Sequence, residues 1–322
     1  MFARIIAACL STAVLFAQAA PAAAAYPDRP VRIVIGFAAG GGADIMTRWY
    51  AEKLGKLYGG TFLVEKKVGA SGNLALEAAG HAKPDGLTLL FSATVGTAGN
   101  AALFRKLPID VQKDIVPIVG FGETPFVLVV APDAGINSVA DLTAYIKKKG
   151  PRTTYGAATG SAIAASALYL NAVGLEATYV GYKVTANAVQ DVTGRQIDFA
   201  FADVVYATGQ ARQNRVKILA ISSNTQSPNL PGVPTLREAS GAKTGDIVAV
   251  WGVWAPTGTP PDIMSQIERW TLEITNMPET QKFLSEQGAT PRPLNGADYK
   301  ASFEASLGAW KDAVRIGKIE VQ

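Results

Sequence analysis

Cysteine and histidine are nearly missing from this chain of 322 residues: it has one of each, Cys9 and His81. Cys9 lies in an N-terminal segment expected to be removed. A mature chain without cysteine forms no disulfide, thiolate metal site or thiol nucleophile, and a lone imidazole builds no histidine metal cluster. Charge is scarce, at 17% of residues, and nearly balanced. Thirty basic against 26 acidic residues give +4, and loss of Arg4 leaves 29 against 26, or +3. No basic run interleaved with aromatics marks a nucleic-acid surface. The longest basic cluster, IKKKG at 146–150, reads as the last turn of a helix, where lysines complement the negative dipole end. Beyond the first residues, no apolar run is long enough to cross a bilayer.

What the N-terminus does have is the layout of an export signal. Arg4 is followed by a short apolar stretch (5–16), then alanines ending in an A-x-A site at Ala23 and Ala25. Residues 1–25 are therefore expected to be a cleaved signal peptide, and the mature chain to work in a periplasm. The remaining 297 residues are long for one core, so two domains are expected.

Strands and helices alternate along the chain. VRIVIGF, TFLVEKK and LTLLFSAT read as strands separated by two helical segments, a βαβαβ order that implies right-handed crossovers and a parallel sheet. A second alternating set runs from RTTYGAA through EATYVGY and IDFAFAD to KILAISS. The apolar strands FVLVVAP (126–132) and IVAVWGVWAP lie between the two sets, as though the chain crosses from one lobe to the other and back. Ser138, with Asp141 three residues on, reads as a helix N-cap. SPNLPGVPTLREASG reads as loop, and everything after residue 260 as helix. The expected fold is α/β: a two-lobe periplasmic binding protein of the Venus-flytrap, type II-like kind, each lobe a parallel-rich sheet flanked by helices. Lobe 1 is expected to comprise 26–127 with 250–322, and lobe 2 128–249.

The most informative stretch is VRIVIGFAAGGGADIMTRWY, a strand, a glycine turn and a helix. Ala39-Gly40-Gly41-Gly42 brings backbone N–H groups close to a guest, and the helix adds its positive end and unpaired donors. Asp44, in the first turn, can act on those same donors. An oxyanion is the natural guest, carboxylate or phosphate. No Lys-Ser or Lys-Thr follows to make a phosphate P-loop. Gly40 and Gly42 supply the start of a dinucleotide fingerprint, with Glu65 in the ribose position, but Ile45 occupies the third glycine place.

The mature chain resembles the substrate-binding proteins of tripartite tricarboxylate transporters, the TctC or Bug family. The matching pieces run in order through nearly all of it: YPDRP, GFAAGGGAD, VEKKVGASGN, AKPDGLTLLF, LPIDVQKDIVPI, YGAATGS, GYK, IDFAFAD, SPNLPGVPTLREA, WGVWAPTGTP and LSEQGATPRP. The resemblance implies a receptor that closes around a small carboxylate and presents it to a membrane permease. In such proteins a ligand carboxylate lies between two helix-N-terminal loops, one per lobe, held by backbone N–H groups, small hydroxyls and waters. Carried over by position, the lobe 1 loop is Phe37, Ala38, Ala39, Gly40, Gly41 and Asp44, and the lobe 2 loop is Thr159, Gly160, Ser161 and Ala162. The residues of YGAATGSAIAAS support this by themselves, since they read as strand, small-residue turn and helix. The chain departs from the family at the prolines of PFPAGG, which are Gly36 and Ala38 here. Its lobe 2 loop is about a residue shorter, Ala164 falls where a histidine is frequent, and Trp251 follows Val250 where an aromatic is usual.

Candidates for the far end of the pocket are Thr94, Val95, Lys183, Asp203 and Trp251. Asp203 either accepts a hydrogen bond from a ligand hydroxyl or ammonium or caps the next helix. Lys183 either pairs a second carboxylate or lies solvated. Trp251 and Phe37 either face the ligand or pack in the core. Two apolar candidates against one basic one favour a dicarboxylate or an aromatic carboxylate over a tricarboxylate.

Nothing in the sequence places reactive groups at this loop. His81 sits in a surface turn, GASGN is one residue short of a nucleophile elbow, and Ser240–Lys243 is an S-x-x-K in a loop. Asp44, Asp203 and Glu123 are the carboxylates that could converge. The reading is a binding protein without turnover, catalytic residues, metal or cofactor, monomeric, with a permease or a sensor kinase as partner and no nucleic acid. The alternative is a periplasmic hydrolase or lyase acting on a carboxylic acid.

Overall fold

The computed structural model describes residues 26–223, 226, 227, 229–241, 247–316 and 319–321. The expected signal peptide, 1–25, lies outside the described residues. β-Branched residues build the first strand, β1 (Val31–Ile35), and α1 (Gly42–Tyr58) follows. Ala43, Met46, Thr47, Tyr50, Ala51 and Leu54 recur at helical spacing in α1, and all are buried. Then come β2 (Phe62–Lys66), α2 (Asn73–Gly80) and β3 (Thr88–Ala93), whose six residues are all buried. After β3 the chain makes a π-helical turn (Val95–Gly99) and a short α3 (Asn100–Leu103). β4 (Ile115–Val130) leads to α4 (Val139–Lys149), β5 (Thr154–Ala157), α5 (Gly160–Val173), β6 (Thr178–Gly181), α6 (Thr185–Thr193) and β7 (Phe199–Asp203). α7 (Val204–Arg212), β8 (Lys217–Ile221), α8 (Leu236–Ser240), β9 (Val248–Pro256), α9 (Pro261–Asn276), α10 (Pro278–Glu286), β10 (Thr290–Leu294) and α11 (Gly296–Ile316) complete it.

The strands form two groups joined through β4. In lobe 1, β1 pairs in parallel with β2 and β3, while β9, β4 and β10 add antiparallel neighbours. In lobe 2, β5 lies parallel between β6 and β7, and β4 runs antiparallel between β7 and β8. Residues 115–125 of β4 pair with β9, and 126–130 pair with β7 and β8. This is the two-lobe α/β fold expected from the sequence, with two parallel and three antiparallel pairings in the first sheet and two of each in the second, where parallel-rich sheets were expected.

β4 is longer than the expected strand at 126–132. Pro117, Gly120, Gly122 and Pro125 punctuate its first half, which a sequence reading takes as breaks. Register shifts between Pro117 and Val119 and between Gly120 and Gly122 absorb the irregularity. Two further expectations fail for similar reasons. TPRPL forms β10 within a stretch read as helical; it pairs with β4 alone, and prolines are tolerated at such an edge. The stretch read as loop contains α8, started by a reciprocal capping box between Thr235 and Glu238. Ser138 does cap α4, its hydroxyl accepting from Asp141 N–H at 3.0 Å.

Where the chain crosses between lobes, Ser222 ties the strands together. Its hydroxyl accepts from Phe126 N–H at 2.9 Å and donates to the Ile247 carbonyl at 2.6 Å. Its own N–H reaches the Phe126 carbonyl at 2.8 Å. Ser222 is buried, so removing its hydroxyl strands two backbone groups away from water. Ser222→Ala is expected to lower unfolding stability by about 1–3 kcal/mol in a denaturant titration.

Candidate functional site

Parallel strands end with their carbonyl edges on one side, and the following helices begin there with free N–H groups. Four such junctions meet across the gap between the lobes. At the end of β1, a Cβ built on Gly42 would stand 2.7 Å from the Cβ of Val205, the second residue of α7. At the end of α3, which follows β3 and its π-helical turn, Leu103 lies so close to Gly160, the first residue of α5, that a Cβ there would overlap it. β1 and β3 are neighbours in one lobe, β7 and β5 in the other. The four junctions therefore form a frame, with β1 facing β7 and β3 facing β5.

In the β1–α1 loop, Gly40 takes a left-handed φ of 77°, which glycine adopts without cost. Its N–H donates to the Asp44 carboxylate at 3.0 Å, and Gly41 N–H reaches the Ala38 carbonyl at 3.4 Å. The first intrahelical bond is Ile45 N–H to the Gly41 carbonyl. The N–H groups of Gly42, Ala43 and Asp44 are left without an acceptor in the helix. Gly36 meets the backbone of the 69–72 loop, where a Cβ would stand 2.7 Å from Gly72 Cα. That contact accounts for glycine at one of the two positions where the family has proline. In the lobe 2 loop, Thr159 caps α5 through its hydroxyl on Ala162 N–H at 3.3 Å, leaving the N–H groups of Gly160 and Ser161 free. Ser161 is 2% exposed, and its hydroxyl has no hydrogen-bond partner among the described residues.

Asp44 is 4% exposed, and its oxygens are engaged by Gly40 N–H and by Arg48 at 3.1 Å. Burial pushes its pKa up, but the hydrogen bonds and charges of Arg48 and the Gly40 amide outweigh this and hold it below the usual carboxylate value. Asp44 is a brace for the glycine loop. Asp203 caps α7 by accepting from Tyr206 N–H at 2.9 Å. Its surface is only partly accessible, protein surrounds the carboxyl, and burial pushes its pKa up against the lowering effect of that bond. No ion pair to it is present among the described residues.

Thr94 is buried and its hydroxyl accepts from Val250 N–H at 3.3 Å, which ties the β3 turn to β9. Val95 opens the π-helical turn and is buried. Trp251 is also buried; it donates its indole N–H to Thr124 at 2.8 Å and packs against half-buried Phe37 at 5.6 Å between rings. Ala38 and Gly41 are half-buried, and Ala39 is exposed. Lys183 is exposed past the end of β6, the strand beyond β5, and so stands outside the frame of four junctions. Glu123 pairs with Arg292 at 2.7 Å, so the three carboxylates considered together are each engaged separately. His81 is exposed, and Lys243 lies outside the described residues. Sequence reasoning did not single out Leu103, Thr124 or Val205, and named Gly42 only within the glycine turn; nothing local marks the other three as neighbours of a cleft.

Two lobes joined by crossing strands, with helix N-termini turned on the gap between them, define a periplasmic-binding-protein architecture. The chain belongs to the TctC family, the tripartite tricarboxylate transporter family receptors, whose family model matches residues 46–315. It is similar to the solved structure of the Rhodopseudomonas palustris protein Rpa4515 with adipate, at 25% identity and a TM-score of 0.87, covering 91% of this chain and 99% of that one. It is also similar to the periplasmic binding protein BugD, at 28% identity and a TM-score of 0.85 over 92% and 100% of the two chains. MatC from Rhodopseudomonas palustris with bound malate is 27% identical, with a TM-score of 0.83 over 90% and 100%. These relatives are binding proteins. Among the described residues, no helix is long and apolar enough to cross a membrane.

The brace role of Asp44 is testable by pH. A depressed carboxylate pKa stabilises the fold above the unfolded value and loses that contribution as pH falls through the folded value. Asp44→Asn is expected to cost about 1–3 kcal/mol at pH 7. The gap from the parent chain should shrink in denaturant titrations below about pH 4.

Proposed function

We propose that this chain is an exported solute receptor that closes around a small carboxylate, with a dicarboxylate or an aromatic carboxylate favoured, and delivers it to a tripartite tricarboxylate-type permease. The observation that supports the reading is that the starts of α1 and α5, each with N–H groups left free, belong to opposite lobes and each stand at a contact between the lobes, Gly42 with Val205 and Gly160 with Leu103. An anion between them satisfies donors from both lobes at once, so binding favours the closed arrangement. Gly41 supports this. Its φ is an ordinary −79°, and a Cβ there would meet only the Ala38 carbonyl oxygen, at 3.5 Å. Neither backbone conformation nor packing asks for glycine, whereas close approach of a ligand to the loop does.

The adipate and malate held by two similar proteins support a ligand with two carboxylates. In this reading the first carboxylate takes the helix donors, Phe37 lines the apolar part, and the second carboxylate meets Asp203. Burial raises the Asp203 pKa and a neighbouring anion raises it further, which favours a proton held between the two carboxyl groups.

The test is a thermal-shift screen of the mature chain against dicarboxylates, aromatic carboxylates and citrate. Ligand at a hundred times its Kd should add ~2.7 kcal/mol, several degrees of Tm. Gly41→Val should retain the fold and weaken binding on the order of a hundredfold, ~2.7 kcal/mol, by calorimetry. No shift with any carboxylate in ligand-free protein, or slow conversion of an acid to product, would overturn the receptor reading. For a dicarboxylate, a second anion beside Asp203 raises its pKa further, so binding takes up a proton. Affinity is expected to fall as pH rises above the ordinary carboxylate range (about 4), and Asp203→Asn should flatten that dependence.

A further inference from the structure

The contact between the start of α7 and lobe 1 is built around missing side chains. A Cβ at Gly42 would lie 2.7 Å from Val205 Cβ and 3.0 Å from each of its methyl groups. Those atoms are the root and both branches of a β-branched side chain, which has little rotamer freedom with which to retreat. Beside it, Gly288, whose left-handed φ of 78° already calls for glycine, would place a Cβ 3.1 Å from a methyl of Val204. Val204 is 0% exposed and Val205 8%. Further along α7, Arg212 donates to the Glu286 carbonyl at 3.4 Å, on the same lobe 1 turn as Gly288. Asn229, in the loop after β8, donates to the Ala289 carbonyl at 3.0 Å. The local backbone of α1 does not account for the glycine at 42, because that residue is helical and outside the left-handed region.

We infer that Gly42 and Gly288 form a seat on lobe 1 into which Val204 and Val205 lock on closure, and that the missing side chain at 42 sets affinity without touching the ligand. The inference rests on the closing cleft proposed above. Val204 and Val205 directly follow Asp203, so seating them also fixes where the Asp203 carboxyl stands. A methyl group at 42 has room when the lobes part and none when they meet. It therefore penalises only the closed state, and the apparent affinity falls by the factor lost from the closed population.

The test uses Gly42→Ala, Val205→Ala and the double variant. The mature chain lacks cysteine, so a spin-label pair can be introduced at exposed Leu57 and Lys183, one in each lobe. Distances between the labels are measured with and without adipate or malate as probe, and Kd by calorimetry. Gly42→Ala is expected to raise Kd about tenfold or more and to deplete the short-distance population, while the Tm of the ligand-free protein is unchanged or higher. Adding Val205→Ala should recover most of both losses, because the methyl then has space. If glycine at 42 served ligand approach instead, Val205→Ala would rescue nothing, and the seat is overturned. Unchanged Kd and distances in Gly42→Ala overturn it equally. If the parent chain binds neither acid, the receptor reading loses its dicarboxylate; the seat is then judged from the ligand-free distances alone. A parent chain that binds nothing and shows no short-distance population overturns both.

Discussion

A helix cannot pair its first N–H groups within itself, and a fold that turns several helix starts toward one place must give them a common partner. That constraint organises this molecule. The parallel strands β1 and β3 in lobe 1, and β5 and β7 in lobe 2, all end at the gap between the lobes. Their helices start there, and α1 and α5 start without enough acceptors. Water can serve these donors when the cleft is open. In the proposed receptor an anion serves them better, since it also meets the positive ends of two dipoles.

The surrounding residues make sense as support for those donors. Asp44 engages the Gly40 amide and so decides which amides remain for a guest. Thr159 does the same for Ala162 on the opposite lobe. Trp251 packs on Phe37 and donates to Thr124, and Thr94 anchors the β3 turn to the crossing strand β9. Asp203 is the exception, a carboxylate placed where anions are expected, with no cation beside it among the described residues. Burial raises its pKa against the lowering effect of the Tyr206 amide.

The elements at the site were the most legible in the sequence. Apolar strands ending in glycine or small hydroxyl residues carry their own signal, as GFAAGGGAD and YGAATGS do, because turn chemistry and helix capping are local. What stayed hidden depends on residues far apart in the chain. β10 was masked by Pro291 and Pro293, which only an edge position tolerates. The first half of β4 was masked by its glycines and prolines, whose bulges need β9 to hold them. Asp44 was expected at the ligand, and its bonds to Gly40 and Arg48 were not visible, because composition does not reveal which partners a side chain finds. Gly42 against Val205 brings together residues 163 positions apart, and no periodicity announces such a meeting.

The strand β4 carries a consequence for how the protein comes apart. One of its ends is hydrogen-bonded into the first sheet and the other into the second, and a single buried cluster extends from Ile33 and Phe91 through Phe126 and Leu128 to Tyr155 and Phe199. The two lobes share this strand. Melting one sheet tears a neighbour from the other, so the lobes unfold as one, in a single cooperative heat-absorption peak. A proteolytic or genetic cut that isolates either lobe leaves it with an unpaired edge and half a core.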